Sequence, residues 1–242
     1  MIRTGNWALR VTVVVAAVST AGFVAVATPA FAQPTAGGTG GKGTPVRAVC
    51  DGPAHKGEMS CHALVRTDVA SGKGVLAPHF TPAGYGPVDL QSAYALPSAT
   101  AGAGQTVAIV DAFDDPNAEA DLAVYRAQFG LPACTTANGC FTKVNQVGQP
   151  APLPVPNAGW AGEISLDVDM VSAICPGCHV LLVEANTNSG ADLGASVDTA
   201  VNMGAKFVSN SYGGPEDPTE VAADADFNHP GVAITVSSGD AG

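Results

Sequence analysis

Four apolar runs, separated by stretches of helical character, constrain the fold of this 242-residue chain more than any other feature. The runs lie at residues 106–111, 179–184, 206–211 and 232–237. Strands that alternate with helices of roughly 10–15 residues are typical of βαβ units and a parallel sheet. Runs that are apolar without alternation favour strands covered on both faces. The sequence therefore predicts an α/β fold with a doubly wound parallel sheet.

Polar residues stand where three of these runs end. Asp111 and Ser211 close two predicted strands, and Asp240 follows the last strand by a few residues. In open parallel sheets, sites form beyond the carboxyl ends of the strands. Three distant stretches should therefore meet at one edge of the sheet.

Helices are predicted at residues 90–95, 117–128, 162–174, 191–203 and 218–227, and a long loop at residues 135–157.

The helix predicted at residues 162–174 is apolar on nearly all sides yet carries acidic residues. Glu163 and Asp167 are four residues apart, so they share one helix face within contact range. Mutual repulsion and burial should raise at least one pKa, and a shared proton would suit general-base chemistry. The alternative is a partly exposed first turn, where acids favour the helix dipole. Asp169 faces another side and is expected to be a surface acid.

Residues 1–32 have the layout of a secretory signal. Arg3 and Arg10 precede an apolar run at residues 11–26, and Ala30-Phe31-Ala32 offers a small-x-small cleavage site. The alternative is an uncleaved membrane anchor, because the run is nearly long enough to span a bilayer. We expect a secreted, extracellular protein without membrane association once the signal is cleaved.

Six cysteines in an exported chain favour disulfides. Many pairings are possible, and the three local ones need only short loops. We therefore favour Cys50–Cys61, Cys134–Cys140 and Cys175–Cys178. The last pair would alternatively be a redox motif, but it follows a helix, whereas redox pairs usually open one. No second pair has the spacing of zinc ligands.

The formal net charge of −11 excludes some classes of partner. A chain of this charge lacks the basic footprint of a nucleic-acid-binding protein. It should not be drawn to anionic membranes either. An apolar content of 46% is that of a globular domain.

Several of these stretches together resemble the serine-carboxyl peptidases of the sedolisin family, over residues 82–242. The most specific motif is GEISLD at residues 162–167, followed by AICPG at 173–177. The other matching motifs are VAIVD at 107–111, SNSYGGPE at 209–216 and SGDAG at 238–242. The cysteine-containing loops resemble those of secreted actinobacterial members. The resemblance implies a subtilisin-like fold and a peptide or protein substrate.

The resemblance also implies catalytic roles. Glu163 would act as general base toward a serine, and Asp167 would orient Glu163 and share its proton. Asp240 would help to form the oxyanion hole. A carboxylic acid donates a hydrogen bond only when protonated, and a glutamate base works where histidine would be protonated. The resemblance therefore implies endopeptidase activity at acidic pH.

Other matching positions would support this site. By resemblance, Asp111 would support Asp167. The strand containing Ser211, Tyr212 and Gly213 would line the substrate, with Tyr212 standing where many members have tryptophan.

The chain departs from the family in two respects. The family's nucleophile lies in a Gly-Thr-Ser motif downstream of the oxyanion aspartate, and its calcium site lies further on; neither occurs up to Gly242. We therefore expect a sheet that is incomplete at the C-terminus, no cofactor or metal in this chain, and no cleavage by these 242 residues alone.

Residues 33–80 are interpreted as a linker and short propeptide-like segment, although the family usually has a full propeptide domain. Residues 81–242 are interpreted as the N-terminal part of a peptidase domain.

Two other functions compete with this interpretation. A subtilisin-like serine peptidase would use Asp111 as its triad aspartate, but no His-Gly-Thr stretch follows it. A non-catalytic, peptidase-like protein would hold a peptide in the cleft without cleaving it.

Overall fold

The structure, a computed structural model, describes residues 46–52, 55–67, 84–215, 218 and 220–239. All of these residues belong to one compact unit. The predicted signal peptide and Asp240 lie outside the described residues. Within the described ranges, no helix is both long and apolar enough to cross a membrane.

In chain order the strands are β1 Val46–Ala48, β2 Ser60–Cys61, β3 Leu64–Arg66, β4 Thr106–Ala112, β5 Phe141–Asn145, β6 His179–Ala185, β7 Phe207–Asn210, β8 Tyr212–Gly213 and β9 Ala233–Val236. Five of them form the main parallel sheet, in the order β5-β6-β4-β7-β9. The helices are α1 Pro87–Ala93, α2 Ala118–Gln128, α3 Ala158–Ile174, α4 Gly190–Asn202 and α5 Glu220–Ala223, and a 3-10 turn follows at Asp224–Phe227.

Alternate residues of the central strands pack into two separate cores. On one face, Val110 and Val183 pack with Leu193 and Val197 of α4. On the other face, Ile109, Leu182, Leu122 of α2, and Ile164 and Val168 of α3 form the second core. Both faces are therefore covered, as the unbroken apolar runs predicted. The predicted α/β fold is confirmed.

One strand of the main sheet was not predicted. Residues 135–157 were expected to form a loop, but β5, Phe141–Asn145, pairs with β6 as an edge strand. Phe141 and Val144 face the core, while Thr142 is exposed and Lys143 is partly buried. With only five residues among glycines and prolines, the strand carries a weak local signal, and its pairing with β6 supplies the stability.

Residues 46–67, within the segment interpreted as propeptide-like, pack in the same compact unit as the sheet. β1 and β3 form a two-stranded antiparallel sheet. β2 pairs with β8, antiparallel, which places this segment against the stretch predicted to line the substrate.

The helix α3 begins at Ala158, four residues before the predicted start, because Asn157 caps it. The side-chain oxygen of Asn157 accepts hydrogen bonds from Gly159 N at 2.9 Å and Trp160 N at 3.1 Å. These bonds satisfy two of the N–H groups that a helix start leaves free. Glu163 therefore lies in the second turn and not in an exposed first turn.

The three local disulfides form as favoured. Cys50 pairs with Cys61, Cys134 with Cys140 and Cys175 with Cys178. The last pair closes the exit of α3, ahead of β6, so it stands at a helix C-terminus. That position lacks the helix N-terminus that lowers the thiol pKa of redox pairs.

A buried arginine joins α2 to the exit of α3. Arg126 is 2% exposed. Its guanidinium donates to Ser172 Oγ at 3.0 Å, to Pro176 O at 2.7 Å and to Pro132 O. Three acceptors from separate parts of the chain therefore depend on one side chain.

Replacing Arg126 with leucine is expected to lower the free energy of unfolding by about 3 kcal/mol, because buried acceptors lose their donor. Urea denaturation of the purified chain measures this loss. Ala127→Leu, at an exposed position of the same helix, is the matched control and should leave the free energy nearly unchanged. Equal stability of both variants would contradict the role of Arg126.

Candidate active site

Glu163 and Asp167 lie one turn apart on α3, and both are buried, at 2% and 9% exposure. Burial and the neighbouring carboxylate of Asp167 raise the pKa of Glu163 to about 7. Burial raises the pKa of Asp167 to about 6. The pair is therefore placed to hold a proton near neutral pH, as the four-residue spacing predicted.

The carboxylate of Glu163 is bound by the main chain of the N-terminal segment. The N–H groups of His62 and Ala63 both donate to Oε2 of Glu163, at 2.7 and 2.6 Å. These bonds favour the ionised carboxylate and lower its pKa, but burial outweighs them. No sequence signal linked these residues, which are about a hundred positions apart.

Ser211 and Asp111 surround Asp167. Ser211 Oγ donates to Asp167 Oδ1 at 2.9 Å, which lowers the pKa of Asp167 against the effect of burial. Asp111 makes no hydrogen bond to Asp167. Its carboxyl group is fully buried without a hydrogen-bond partner in the described chain. Burial and the charges of Asp167 and Glu163 raise the pKa of Asp111 well above its usual range, which favours its neutral form.

Tyr212 and Gly213 form β8, directly after Ser211. The backbone of Tyr212 pairs with Cys61, and that of Gly213 with Ser60. The ring of Tyr212 is buried, and its hydroxyl donates to Asn210 Oδ1 at 2.7 Å. The three residues predicted to line the substrate are thus together, and a strand of the same chain lies on them.

A second group of charges was not singled out from the sequence. Glu184, at the end of β6, is fully buried, and its Oε1 lies 3.6 Å from Lys143 Nζ and accepts from Asp115 N at 3.0 Å. Lys143 also pairs with Asp114. Burial raises the pKa of Glu184 to about 8. The rule that pointed to Asp111, a carboxylate at a strand's carboxyl end, would have found Glu184 as well.

The remaining predicted residues are placed as follows. Asp169 is partly buried and lies near Asp121 and Tyr125, on the α2 side of α3 and away from Glu163. Asp240 lies outside the described residues, although the chain is described up to Gly239. In the described part of the chain, no group of three or more histidine, cysteine, aspartate or glutamate side chains is arranged to hold a metal ion.

Comparisons with known proteins bear on this arrangement. No protein-family model matches the chain. Kumamolisin of Bacillus sp. (strain MN-32) is 31% identical over 172 residues, which are 66% of this chain and 30% of that protein. The chain thus spans less than a third of the curated relative it matches.

Among solved structures, a serine-carboxyl proteinase is similar to this chain. Pseudomonas sedolisin, a serine-carboxyl proteinase complexed with two molecules of pseudo-iodotyrostatin, matches with a TM-score of 0.51 and 21% identity. The match covers 66% of this chain and 46% of that one. At this identity the likeness shows the fold, a subtilisin-like α/β architecture.

Proposed function

Because this chain belongs to the sedolisin family of serine-carboxyl peptidases, we propose that it supplies the base half of a secreted endopeptidase site. Glu163 is the general base and Asp167 its orienting partner. The nucleophile that Glu163 would serve is a serine of the family's Gly-Thr-Ser motif, and this motif does not occur among the 242 residues. The observation that supports the proposal is the buried Glu163–Asp167 pair, one turn apart, with Ser211, the residue before β8, donating to Asp167.

The proton chemistry follows from the pair. Glu163 takes the proton of the attacking serine and later gives it to the leaving amine. Asp167 is the orienting partner: Ser211 Oγ donates to its Oδ1 at 2.9 Å, and its Oδ2, buried without a hydrogen-bond partner in the described chain, is left for the proton that the pair would share. The raised pKa of Asp111, caused by burial and by the charges of Asp167 and Glu163, favours its neutral form, so Asp111 adds little negative charge beside the pair.

Asp240 is the proposed oxyanion donor, by its place in the family motif. The negative oxygen of the tetrahedral intermediate needs a donor, and a protonated carboxyl group supplies one. Activity then requires Glu163 ionised and Asp240 protonated. The product of the ionised fraction of Glu163 and the protonated fraction of Asp240 is largest between the pKa values of the two groups. The rate should therefore have a bell-shaped dependence on pH with a mildly acidic maximum.

Two other functions compete with the serine-carboxyl peptidase proposal. A subtilisin-like triad would pair Asp111 with a histidine, but the charges that act on Asp111 are those of Asp167, Glu163 and Glu184. A non-catalytic peptide-binding protein has one observation in its favour, because β8 pairs with another strand, β2, as it would with an extended peptide. Hydrolysis by the whole gene product separates these functions.

Asp240→Ala in the protein expressed from its whole gene is expected to lower kcat for casein-derived peptides by about 100- to 1,000-fold, the scale of losing one oxyanion donor. Asp224→Ala, at an exposed position after α5, is the matched control and should keep full activity. An unchanged kcat for Asp240→Ala would reduce Asp240 to a turn residue. An absence of hydrolysis in the unaltered protein would overturn the peptidase proposal.

A further inference from the structure

Phe113, the residue that follows β4, has an unusual backbone conformation. Its φ is +66°, in the left-handed region that residues with a bulky side chain rarely adopt. Among the residues that the structure describes, Ala95 is the other non-glycine residue with a positive φ, and it follows the end of α1, where this conformation is common. Phe113 follows a strand, so no helix end accounts for its conformation. A bulky residue held in this way beside a candidate active site points to a function for the conformation.

Main-chain hydrogen bonds on both sides hold Phe113 in this conformation. Its N–H donates to Ala185 O, at the end of β6, at 2.8 Å. The next residue, Asp114, bonds to the chain that precedes α3: its N–H donates to Val155 O at 3.2 Å, and its carbonyl accepts from Asn157 N at 3.3 Å. Asn157 is the N-cap of α3. The turn at Phe113 therefore directs the main chain of Asp114 to the start of α3.

The side chain of Asp114 is fixed as well. It is buried, and its carboxylate pairs with Nζ of Lys143 on β5 at 2.5 Å. The same Nζ donates to Asp115 O at 2.8 Å. Contacts with β5, with β6 and with the chain before α3 thus act together on the turn at Phe113. A backbone conformation of this cost persists only where the surrounding structure fixes it in this way.

The ring of Phe113 makes a second link to the first turn of α3. Its centroid lies 6.3 Å from that of Trp160, and the Trp160 centroid lies 6.2 Å from that of Tyr212. Trp160 and Tyr212 belong to one hydrophobic core, and Phe113 packs against that core. Aromatic pairs at such distances contribute more than their buried area alone. The three rings therefore join the end of β4, the start of α3 and β8.

Trp160, Glu163 and Asp167 share one face of α3. They stand at positions i, i+3 and i+7, which fall on a single stripe of a helix. Both ends of this stripe contact the same stretch of chain: Trp160 packs on the ring of Tyr212, and Asp167 accepts from Ser211 Oγ at 2.9 Å. Glu163 lies between these two contacts. A rotation or shift of the first turn of α3 would therefore displace the proposed base.

We infer that Phe113 is a positioning residue for the proposed base. Its left-handed turn fixes the residues that precede α3, and its ring fixes Trp160, so that Glu163 is held at one height and one rotation of the helix. The inference rests on the proposed function, since it takes Glu163 as the base. It adds to that function a residue that acts through the helix that carries the two acids.

The first test is the steady-state kinetics of Phe113→Ala in the protein expressed from its whole gene. Because a displacement of about 1 Å can cost a hundredfold in rate, kcat for casein-derived peptides should fall at least about tenfold. KM should change by less than about twofold, since a positioning residue acts on the chemical step. Phe113→Tyr, which keeps the ring, should retain at least about half of kcat.

Phe129→Ala is the matched control. Phe129 is also partly buried and packs on another ring, that of Tyr125, at 4.8 Å, but it lies at the end of α2. The kcat of this variant should stay close to that of the unaltered protein. An unchanged kcat for Phe113→Ala, a loss confined to KM, or an equal loss of kcat in Phe129→Ala would overturn the inference.

The backbone conformation is tested by comparing Phe113→Gly with Phe113→Ala in the 242-residue chain. At an ordinary φ alanine gives the more stable protein, because glycine leaves the unfolded chain more freedom. At a positive φ the order reverses, since glycine adopts left-handed backbone without steric cost. The midpoint of urea denaturation should therefore be higher for Phe113→Gly. An equal or higher midpoint for Phe113→Ala would overturn the role of the left-handed turn.

Phe113→Gly also guards against loss of folding, because it removes the ring while relieving the backbone. In the protein expressed from its whole gene it should show the same loss of kcat as Phe113→Ala. Hydrogen exchange of the amides of β4 and β6 checks that the sheet is intact in each variant. Full kcat in Phe113→Gly, with the sheet protected, would overturn the role of the ring.

A measurement without catalysis separates this inference from the proposed function. Nuclear magnetic resonance of carbon-13-labelled glutamate carboxyl groups follows the titration of Glu163 in the 242-residue chain. Burial is the main cause of the raised pKa of Glu163, about 7, so looser packing of α3 in Phe113→Ala should lower that pKa by at least about 0.5. Phe129→Ala should leave it unchanged.

The two kinds of failure are therefore distinguishable. A whole gene product that hydrolyses nothing overturns the peptidase proposal, while a lowered pKa of Glu163 in Phe113→Ala still supports the link from Phe113 to Glu163. A pKa of Glu163 that is the same in Phe113→Ala and in the unaltered chain would overturn the inference alone.

Discussion

Glu163→Gln in the protein expressed from its whole gene is expected to lower kcat for peptide hydrolysis by at least about a thousandfold. Glutamine has the size of glutamate, and its side-chain oxygen still accepts hydrogen bonds from the N–H groups of His62 and Ala63. It cannot take a proton from a nucleophile. The loss should therefore appear in kcat, with thermal stability kept.

The chain offers a matched control on the same helix. Asp169 is also an acid of α3 with a raised pKa, about 7, caused by burial and Asp121, but it lies on the α2 side. Asp169→Asn should keep activity close to that of the unaltered protein. Full activity of Glu163→Gln, or an equal loss in both variants, would refute the assignment of Glu163 as the base.

The domain is expected to be more stable at pH 4.5 than at pH 8, by at least about 2 kcal/mol. Burial raises the pKa of Glu163 to about 7, of Asp167 to about 6 and of Glu184 to about 8. Between the unfolded values near 4 and these folded values, the folded state binds more protons than the unfolded state. Stability is therefore lost as pH rises through this window.

Urea denaturation of the 242-residue chain at the two pH values measures the effect. Glu163→Gln/Asp167→Asn should reduce the difference in free energy of unfolding, because two of the responsible groups no longer titrate. Asp224→Asn, at an exposed position, is the control and should keep the difference. Stability that increases from pH 4.5 to pH 8 would contradict the burial of these carboxyl groups in a low-dielectric site.

Local patterns were sufficient for four of the five strands of the main sheet and for the existence of the helix that carries the acids. β4 and β6 were found because unbroken apolar runs leave few alternatives to a buried strand. The spacing of Glu163 and Asp167 predicted a shared, buried face, and the structure places both side chains there. The three disulfides were favoured because short loops close at low entropic cost.

The pairing of strands that are distant in the chain could not be predicted from the sequence. β2 and β8 have two residues each, so neither carries a periodic signal, and they meet only when the chain is folded. The contact between Glu163 and the amides of His62 and Ala63 uses backbone atoms, which leave no trace in residue identity. For the same reason, the packing of residues 60–61 against β8 could not be predicted from the sequence.

The peptidase account is tested most directly by kcat/KM for peptide hydrolysis by the whole gene product from pH 3 to pH 9. Because Glu163, whose pKa is about 7, must be ionised and Asp240 must be protonated, the account predicts a bell-shaped profile with its maximum on the acidic side of pH 7. Activity that instead rises through pH 7 to a plateau, as with a histidine base, would contradict the serine-carboxyl mechanism, and so would an absence of hydrolysis at every pH.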